Sequence, residues 1–257
     1  MTPLNDPLRP VVLAYTATCE TLSAAVTGRS ERGSDGTVLT VSRAPVASLN
    51  GVISPNLDPD PEVIAALAGR EMLEGLAWSI QVRGLPGVGV MEVAARYGLT
   101  HTATLPLMIR RPEAGLPPRP AAGGLQVHPV RGDEFTLYAR TMADAFGVPH
   151  EAFEMFANPA LADLADFTFY LAESDGALVG TGMAAVRGEL LGVFNIGVLP
   201  RHRRQGHGRA ITTEIVRAHY AAGATTAYLY ASAVGESVYA SAGFRTEESL
   251  TTFTIPT

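Results

Sequence analysis

Apolar and polar positions follow regular periods through residues 125–257 and predict alternating strands and helices. Alternation with a period of two predicts a strand, and apolar positions three or four residues apart predict a helix. The helix expected after Gly208 carries Ile211 and Ile215 on its apolar face, and Gly223 is its expected stop. Strands are expected at 125–130, 167–174, 176–187, 189–199, 225–232 and 249–255, and further helices at 132–146, 149–164 and 235–243.

The first half ends in a similar order of elements. A helix is expected at 61–76, a strand at 77–84, a short helix at 90–98 and a strand at 100–109. This order indicates an internal repeat. Aligning EVAARYGL with SVYASAGF, the segments before the last strand of each half, puts Ala94 opposite Tyr239.

The segment PEAGLPPRPAAGG, residues 112–124, contains four prolines and three glycines and keeps neither period. Such a composition is typical of a linker. We therefore predict a first domain at 1–111, a linker at 112–124 and a second domain at 125–257. The mixture of strands and helices in both halves predicts an α+β fold class with a mixed α/β sheet.

Composition excludes several classes of function. The chain has 257 residues, of which 47% are hydrophobic, and a formal net charge of −6, so nucleic acid is not an expected partner. The chain contains no lysine. A Walker A phosphate loop and Schiff-base chemistry, including lysine-linked pyridoxal chemistry, are therefore excluded.

Neither a membrane span nor a secretion signal is recognisable. No apolar run approaches the roughly 18 residues that cross a bilayer, and MTPLNDPLRP lacks the basic flank and apolar stretch of a signal peptide. We expect a cytoplasmic protein without a membrane partner. The single cysteine, Cys19, forms no intrachain disulfide and is expected to pack in an N-terminal helix.

The segment RHRRQGHGRAI, residues 201–211, concentrates positive charge where a predicted strand ends and a predicted helix begins. The first N–H groups of a helix have no partner within it, and with the helix dipole they favour an anion such as phosphate. Gly206 and Gly208 let the main chain approach a ligand closely. Arg203, Arg204 and Arg209 can add charge-assisted hydrogen bonds. The segment therefore predicts a phosphate-binding loop.

Two common phosphate motifs do not describe this loop. It has no P-loop lysine, and GHGRAI lacks the third glycine or alanine of a dinucleotide fingerprint. GTGMAA, residues 180–185, does match that fingerprint, but it lies within a predicted strand and is interpreted as a glycine-rich strand. RGLPGVG, residues 83–89, differs from the loop in its spacing and is interpreted as a turn.

The spacing Arg203-x-x-Gly206-x-Gly208 resembles the Q/R-x-x-G-x-G/A loop of the GCN5-related N-acetyltransferase (GNAT) superfamily. VFNIGVLPRHRRQGHGRAI, residues 193–211, is similar to that family's fourth strand, V-x-P turn, loop and third helix, and SVYASAGF is similar to its late Y-x-x-x-G-F motif. The resemblance covers residues 125–257. It implies two tandem GNAT-like domains, each a mostly antiparallel sheet flanked by helices, of which the N-terminal copy is degenerate.

The resemblance implies that the loop holds the diphosphate of coenzyme A, with acetyl-CoA as the default co-substrate and no metal. The pantetheine arm would lie along the fourth strand where that strand diverges from its neighbour, and a backbone N–H near Val198 would polarise the thioester carbonyl. The residues expected to bind the coenzyme are Ile196, Val198, Leu199, Arg203, Arg204, Gln205, Gly206, His207, Gly208 and Arg209.

The resemblance also implies catalytic positions. Tyr239 matches the family's general acid, and Asn195 stands where many members carry a glutamate; an amide can orient water or substrate but cannot act as a base. With Val198 these are the expected catalytic residues. The candidates for the base are Glu189, His150, Glu151 and Glu154, and the expected acceptor-binding residues are Phe146, His150, Phe153 and Glu154.

The leading hypothesis is an N-acyltransferase that moves an acyl group from a coenzyme A thioester to a primary amine of a small molecule, such as an antibiotic or another natural product. Two alternatives stay open. The donor could be a phosphopantetheinyl carrier protein, because part of the same arm would enter the same strand opening. Alternatively, the protein could bind or sense acyl-CoA without catalysis, since the first half lacks the loop and the fourth strand lacks its glutamate.

Overall fold

The computed structural model of the protein describes residues 6–112 and 124–256. Most of the predicted linker, residues 113–123, lies outside the described residues. The chain divides into two units, Met1–Leu105 with Glu248–Thr257, and Pro106–Glu247. No helix within the described ranges is both long and apolar enough to span a membrane.

The helices are α1 (Arg9–Thr27), α2 (Pro61–Ala68), α3 (Val88–Arg96), α4 (Glu134–Phe146), α5 (His207–Ala221) and α6 (Glu236–Ser241). The strands are β1 (Ser30–Arg32), β2 (Val38–Val41), β3 (Asn50–Ile53), β4 (Ser79–Arg83), β5 (His101–Arg110), β6 (Leu125–Pro129), β7 (Phe167–Ser174), β8 (Ala177–Arg187), β9 (Leu190–Val198), β10 (Thr226–Tyr230) and β11 (Arg245–Thr254).

The sheet of the first unit has the strand order β1-β2-β3-β4-β11. Strand β4 runs parallel to β3 and antiparallel to β11. Glycine is required at position 51, where φ is +123° and a Cβ would lie 1.9 Å from the Ser79 carbonyl oxygen, so its absence lets β3 and β4 pair. Apolar side chains of the sheet, α2 and α3 form the core, among them Leu39, Ile64 and Ile80.

Arg83 of β4 is buried in the first unit, with its side chain 1% exposed. Its Nη1 and Nη2 donate to the Asp6 carboxylate at 2.6 and 3.0 Å, and its Nε and Nη2 donate to the Glu248 carboxylate at 2.8 Å each. The hydrogen bond from Arg83 is the main cause that lowers the pKa of Asp6. This cluster joins the segment before α1 to β4 and β11.

The sheet of the second unit has the order β6-β7-β8-β9-β10-β5, in which β10 runs parallel to β9 and antiparallel to β5. Helices α4 and α5 pack on opposite faces of this sheet. A Cβ at Gly182 of β8 would lie 2.6 Å from Ile215 of α5, whereas one at Gly197 of β9 would lie 2.9 Å from Ala145 of α4. The glycine-rich stretch 180–185 is therefore part of a strand that α5 approaches closely, and not a dinucleotide loop.

The last strand of each unit comes from the other half of the sequence. Strand β5 follows α3 but pairs with β10 through residues 107–110, and β11 follows α6 but pairs with β4 through residues 250–253. The unit boundaries consequently differ from the predicted domain boundaries at residues 111 and 125. The periodicity predicts both strands but not their partners, because pairing between distant segments leaves no local period.

The same turn follows the short last helix of each half. The N–H of Leu99 donates to the Ala94 carbonyl at 3.0 Å, and that of Phe244 donates to the Tyr239 carbonyl at 3.1 Å. The glycines before Leu99 and Phe244 have φ of +72° and +89°, a conformation that suits glycine. The two turns agree with the predicted alignment of these segments, and descent from a tandem repeat stays a prediction.

Two predicted helices are wrong in type or length. The segment 149–164 forms 3-10 helices at His150–Ala157 and Pro159–Asp163 instead of one α-helix. Pro159 lacks an N–H and holds the preceding residue in an extended conformation, which interrupts the helix. The helix expected at 61–76 ends at Ala68. Strands β1 to β3 are three or four residues long and were not predicted, because a period of two needs a longer run to be recognised.

Candidate functional site

Strand β9 separates from β10 within the sheet of the second unit. Among the described residues, β9 pairs with β10 only from Leu190 to Gly192, whereas it pairs with β8 as far as Val198. Strand β10 continues along β5 to Tyr230. The edge of β9 from residue 193 to 198 therefore faces an opening. The resemblance described above implied such a divergence of the fourth strand from its neighbour.

A β-bulge at Asn195 determines which side chains of β9 face α5. The β8–β9 register shifts at this point, and Asn195 has φ of +52°. Before the bulge, Leu191 and Val193 belong to the core cluster that contains the α5 side chains; after it, Ile196 and Val198 do. One extra residue thus keeps the apolar side chains on the α5 face of the sheet on both sides of the bulge.

The backbone N–H of Val198 points into the opening beside β9. The next N–H, that of Leu199, donates to the Val179 carbonyl on the β8 side at 2.9 Å. Successive N–H groups of a strand point to opposite sides, so that of Val198 points away from β8. Leu199 is buried, and its N–H is already bonded to Val179. It therefore has no free N–H to offer the coenzyme, although the sequence analysis expected it to bind there.

The loop between β9 and α5 contains two residues in the left-handed conformation. Arg204 has φ of +58° and Gly206 has φ of +84°. Gly206 is the N-cap of α5, and nothing lies within 4 Å of where its Cβ would be, so its backbone angle and not space requires glycine. In the first turn, the N–H groups of His207, Gly208 and Arg209 have no helical carbonyl to bond. They form the helix end at which the sequence analysis predicted anion binding, and that binding stays a prediction.

Arg203 anchors this loop to neighbouring backbone. Its Nη2 donates to the Ala145 carbonyl in the last turn of α4 at 2.9 Å, and its Nε donates to the Val198 carbonyl at 3.3 Å. Its backbone N–H donates to the Pro200 carbonyl at 3.3 Å. Arg203 therefore fixes the loop position through Nε and Nη2, and the contact with a phosphate that the sequence analysis expected stays a prediction.

The other polar side chains of the loop are exposed. The guanidinium groups of Arg204 and Arg209 bond to no group within the described part of the chain, so they are available to a ligand. Gln205 donates from Nε2 to the Arg201 carbonyl at 3.3 Å. Within the loop, Arg204 and Arg209 are thus the side chains best placed to add charge beside the helix end.

His207, the first residue of α5, is 9% exposed. Burial, and secondarily the charge of nearby His202, lower the pKa of His207. Its imidazole is therefore neutral at pH 7. A neutral ring avoids placing a cation on the positive end of the helix dipole.

Gly208 brings the start of α5 against β9 and α6. A Cβ at this position would lie 3.5 Å from Val198 Cγ2 and 3.7 Å from Val238 Cγ1. The next residue of α6, Tyr239, is half-buried, and burial raises its pKa to about 12. Its hydroxyl has no hydrogen-bond partner among residues 6–112 and 124–256. The start of α5 thus lies beside the open edge of β9 and beside the helix that carries Tyr239.

Asn195 has a structural partner on α4. Its Nδ2 donates to the Tyr138 hydroxyl at 3.2 Å and lies 3.6 Å from the sulfur of Met183. The backbone carbonyl of Asn195 accepts a hydrogen bond from Thr181 Oγ1 at 2.9 Å. Burial raises the pKa of Tyr138. The Nδ2 group of Asn195 therefore secures the bulge against α4, and the role of this residue in orienting water or substrate stays a prediction. The sequence analysis missed Tyr138 and Thr181, and no local signal could have shown these contacts.

Glu189, one of the candidate bases, lies at the far end of β9. It precedes Val198 by nine residues, a separation of about 25–30 Å along a strand. Its carboxylate accepts a hydrogen bond from Thr225 Oγ1 at 3.2 Å. The distance excludes Glu189 as the base for a reaction beside Val198.

The expected acceptor-binding residues fall into two groups. Phe146 ends α4, is 49% exposed and contacts Phe153 edge to face with ring centroids 5.6 Å apart. Its ring lies 3.3 Å from the position of a Cβ at Gly197, so this aromatic pair adjoins the end of β9. His150 and Glu154 instead line a cavity between α4 and the 3-10 helix that follows it.

Known proteins share sequence or fold with this chain. Residues 165–246 match the family model of the acetyltransferase (GNAT) domain. A GCN5-related N-acetyltransferase from Kribbella flavida superimposes with a TM-score of 0.64 and is 21% identical, over 95% of this chain and 96% of that chain. The matched family region includes β7 to β10, the loop and Tyr239.

Other solved structures have the same fold. A conserved protein of unknown function from Staphylococcus epidermidis has a TM-score of 0.64 and 14% identity, covering 89% of this chain and 94% of its own. A GNAT family protein from Novosphingobium aromaticivorans has a TM-score of 0.56 and 18% identity, covering 97% and 98%. No curated protein sequence matches this chain significantly. Residues 165–246 are therefore similar to a GNAT acetyltransferase domain, and the chain has the mixed α/β fold of these solved structures.

Proposed function

We propose that this protein transfers an acyl group, acetyl by default, from a coenzyme A thioester to a primary amine of a small molecule. One observation carries the proposal: Gly208 holds the N-terminal end of α5 beside the open edge of β9 and beside α6. In this proposal the first-turn amides of α5 bind a diphosphate, the Val198 N–H of β9 binds the thioester carbonyl oxygen, and the Tyr239 hydroxyl of α6 donates to the departing sulfur.

The described residues fit coenzyme A. The first-turn amides from His207 to Arg209 suit a diphosphate, and the exposed guanidinium groups of Arg204 and Arg209 add positive charge beside them. The edge of β9 that has left β10 offers backbone groups to the two amides of a pantetheine arm. When bound, the coenzyme supplies the activated acyl group.

Val198 and Tyr239 have complementary roles in this proposal. The Val198 N–H donates to the thioester carbonyl oxygen as negative charge develops on it. Full proton transfer from a phenol whose pKa is about 12 to a thiolate near 8.5 is uphill by about 5 kcal/mol. Tyr239 therefore stabilises the departing sulfur chiefly by donating a hydrogen bond.

The proton of the attacking amine leaves through water in this proposal. The sequence of β9, LLGVFNIGV, contains no carboxylate or histidine, and the Asn195 amide is bonded to Tyr138. An amine acceptor reacts only in its neutral form. The rate is therefore expected to rise with pH as the acceptor loses its proton.

Release of free thiol from acetyl-CoA in the presence of a panel of primary amines tests the proposal. Tyr239→Phe is expected to lower turnover by about tenfold or more while leaving coenzyme affinity nearly unchanged. Tyr97→Phe is the matched control, because Tyr97 is also half-buried and is the C-cap residue of the short helix α3. Its turnover should equal that of the unmodified protein.

Three outcomes would contradict parts of the proposal. Unchanged turnover in Tyr239→Phe would remove Tyr239 from the reaction. Thiol release from an acylated carrier protein but not from acyl-CoA would identify a carrier as the donor. Tight coenzyme binding with no thiol release from any donor would support a non-catalytic acyl-CoA sensor.

A further inference from the structure

We propose that the second unit contains a separate binding site for a cationic amino acid, between α4 and the 3-10 helix His150–Ala157. The cavity there measures about 480 Å³, which is within the range of small-ligand sites. None of its lining residues belongs to the loop between β9 and α5, to β9 or to α6. His150 and Glu154, which the sequence analysis expected to bind the acceptor, are assigned to this cavity instead, so the inference does not depend on acyl transfer.

Two short rows of side chains form the walls of the cavity. On α4, Thr136 and Arg140 are one helical turn apart and Ala139 lies beside them. On the 3-10 helix, Glu151 and Glu154 are three residues apart, a spacing that aligns side chains on one face. The backbone departs from helical angles between them, yet both carboxylates line the cavity.

The charged groups of this cavity lack protein partners. Arg140, Glu151 and Glu154 form no ion pair or side-chain hydrogen bond with any residue that the structure describes. His150 differs, because its Nε2 lies 2.9 Å from Asp144 Oδ1. A guanidinium and two carboxylates thus line one space without protein partners, and a ligand of complementary charge would replace the water around them.

The balance of charge selects the class of ligand. Arg140 suits a carboxylate, which a guanidinium can bind through two parallel hydrogen bonds. Glu151 and Glu154 suit two cationic groups, and each would repel a phosphate or a second carboxylate. An α-amino acid with a basic side chain carries this set of one carboxylate and two cations, whereas a diamine would leave Arg140 unpaired.

Titration calorimetry of the full chain without coenzyme tests this inference, with L-lysine as the probe. Cadaverine lacks the carboxylate of lysine, and 6-aminohexanoic acid lacks the α-ammonium group. L-lysine should bind saturably and about tenfold more tightly than either analogue, because each analogue loses one charge-assisted contact.

Variants of the exposed lining residues assign the contacts. Arg140→Gln should remove the preference for lysine over cadaverine, and Glu154→Gln should weaken both ligands by about tenfold. Arg131→Gln is the matched control, because Arg131 is exposed, precedes α4 and does not line the cavity. Absence of saturable lysine binding, or lysine binding that Arg140→Gln leaves unchanged, would overturn the inference. Because no coenzyme is present, failure here is distinguishable from failure of the proposed acyl transfer.

Discussion

Replacing Gly206 with alanine tests whether the loop before α5 already has its coenzyme-binding conformation. Gly223, just after α5, provides a matched control. The two glycines have φ of +84° and +108°, and nothing lies within 4 Å of a Cβ at either position. Both changes therefore act through the backbone alone. The left-handed conformation costs a non-glycine residue about 1–2 kcal/mol, partly offset by about 0.4–1 kcal/mol from the less flexible unfolded chain.

Only Gly206→Ala is expected to weaken coenzyme binding. The loop is exposed and can relieve the strain in the free protein by leaving the left-handed conformation, which binding must then restore. A cost of about 1–2 kcal/mol corresponds to a Kd for acetyl-CoA that is about 5–30-fold higher. Isothermal titration calorimetry measures this difference, and thermal unfolding of both variants reports the common backbone effect.

The control defines the result that would refute this reasoning. Gly223→Ala should keep its Kd within about twofold of the unmodified protein, because the change lies at the other end of α5. An unchanged Kd in Gly206→Ala would show that the observed loop conformation is not the one that binds. Equal weakening in both variants would show that general destabilisation is the cause.

Three further variants test other parts of the structure. Gly180→Ala places a Cβ 2.2 Å from the Gly197 carbonyl oxygen. The variant should lower the free energy of unfolding, measured by urea titration, by about 1–3 kcal/mol. An unaltered urea midpoint of unfolding would contradict this packing. Arg203→Gln removes the guanidinium contacts to the Val198 and Ala145 carbonyls and should raise the acetyl-CoA Kd by about tenfold, with an unaltered Kd as the contrary result. Asp6→Asn should lower stability at pH 7 and flatten its acid dependence. Because Arg83 lowers the pKa of Asp6 below 3.8, the stabilisation is present above that value and is lost as pH falls through the folded-state pKa; an unchanged acid profile would contradict it.

The elements of the second half were largely predictable because each has a strong local signal. Strands β7 and β8 are largely buried runs, and α5 has an apolar face with a stopping glycine. The loop before α5 was predictable for a different reason: glycines directly before a predicted helix mark where the chain turns into it, and anion binding by this loop stays a prediction. The roles of individual arginines were not, since only the fold shows that Arg203 turns back to the carbonyls of Val198 and Ala145.

Features that depend on distant contacts could not be predicted from local patterns. The bulge at Asn195 interrupts a segment whose sequence predicts a continuous strand. The contact of Asn195 with Tyr138 joins residues that are 57 positions apart. The pairing of β5 with β10 and of β11 with β4 joins segments more than a hundred residues apart. In the sequence, Arg140, Glu151 and Glu154 have the pattern of ordinary surface residues. Only the structure shows that they line the same cavity.

The central claim is that the N-terminal end of α5 binds the diphosphate of coenzyme A. A crystal structure of the protein with acetyl-CoA tests it most directly. We expect diphosphate oxygens within about 3.2 Å of the backbone nitrogens of His207, Gly208 or Arg209, with the thioester carbonyl facing the N–H of Val198. Ordered coenzyme elsewhere on the protein, with no density at this helix end, would contradict the claim.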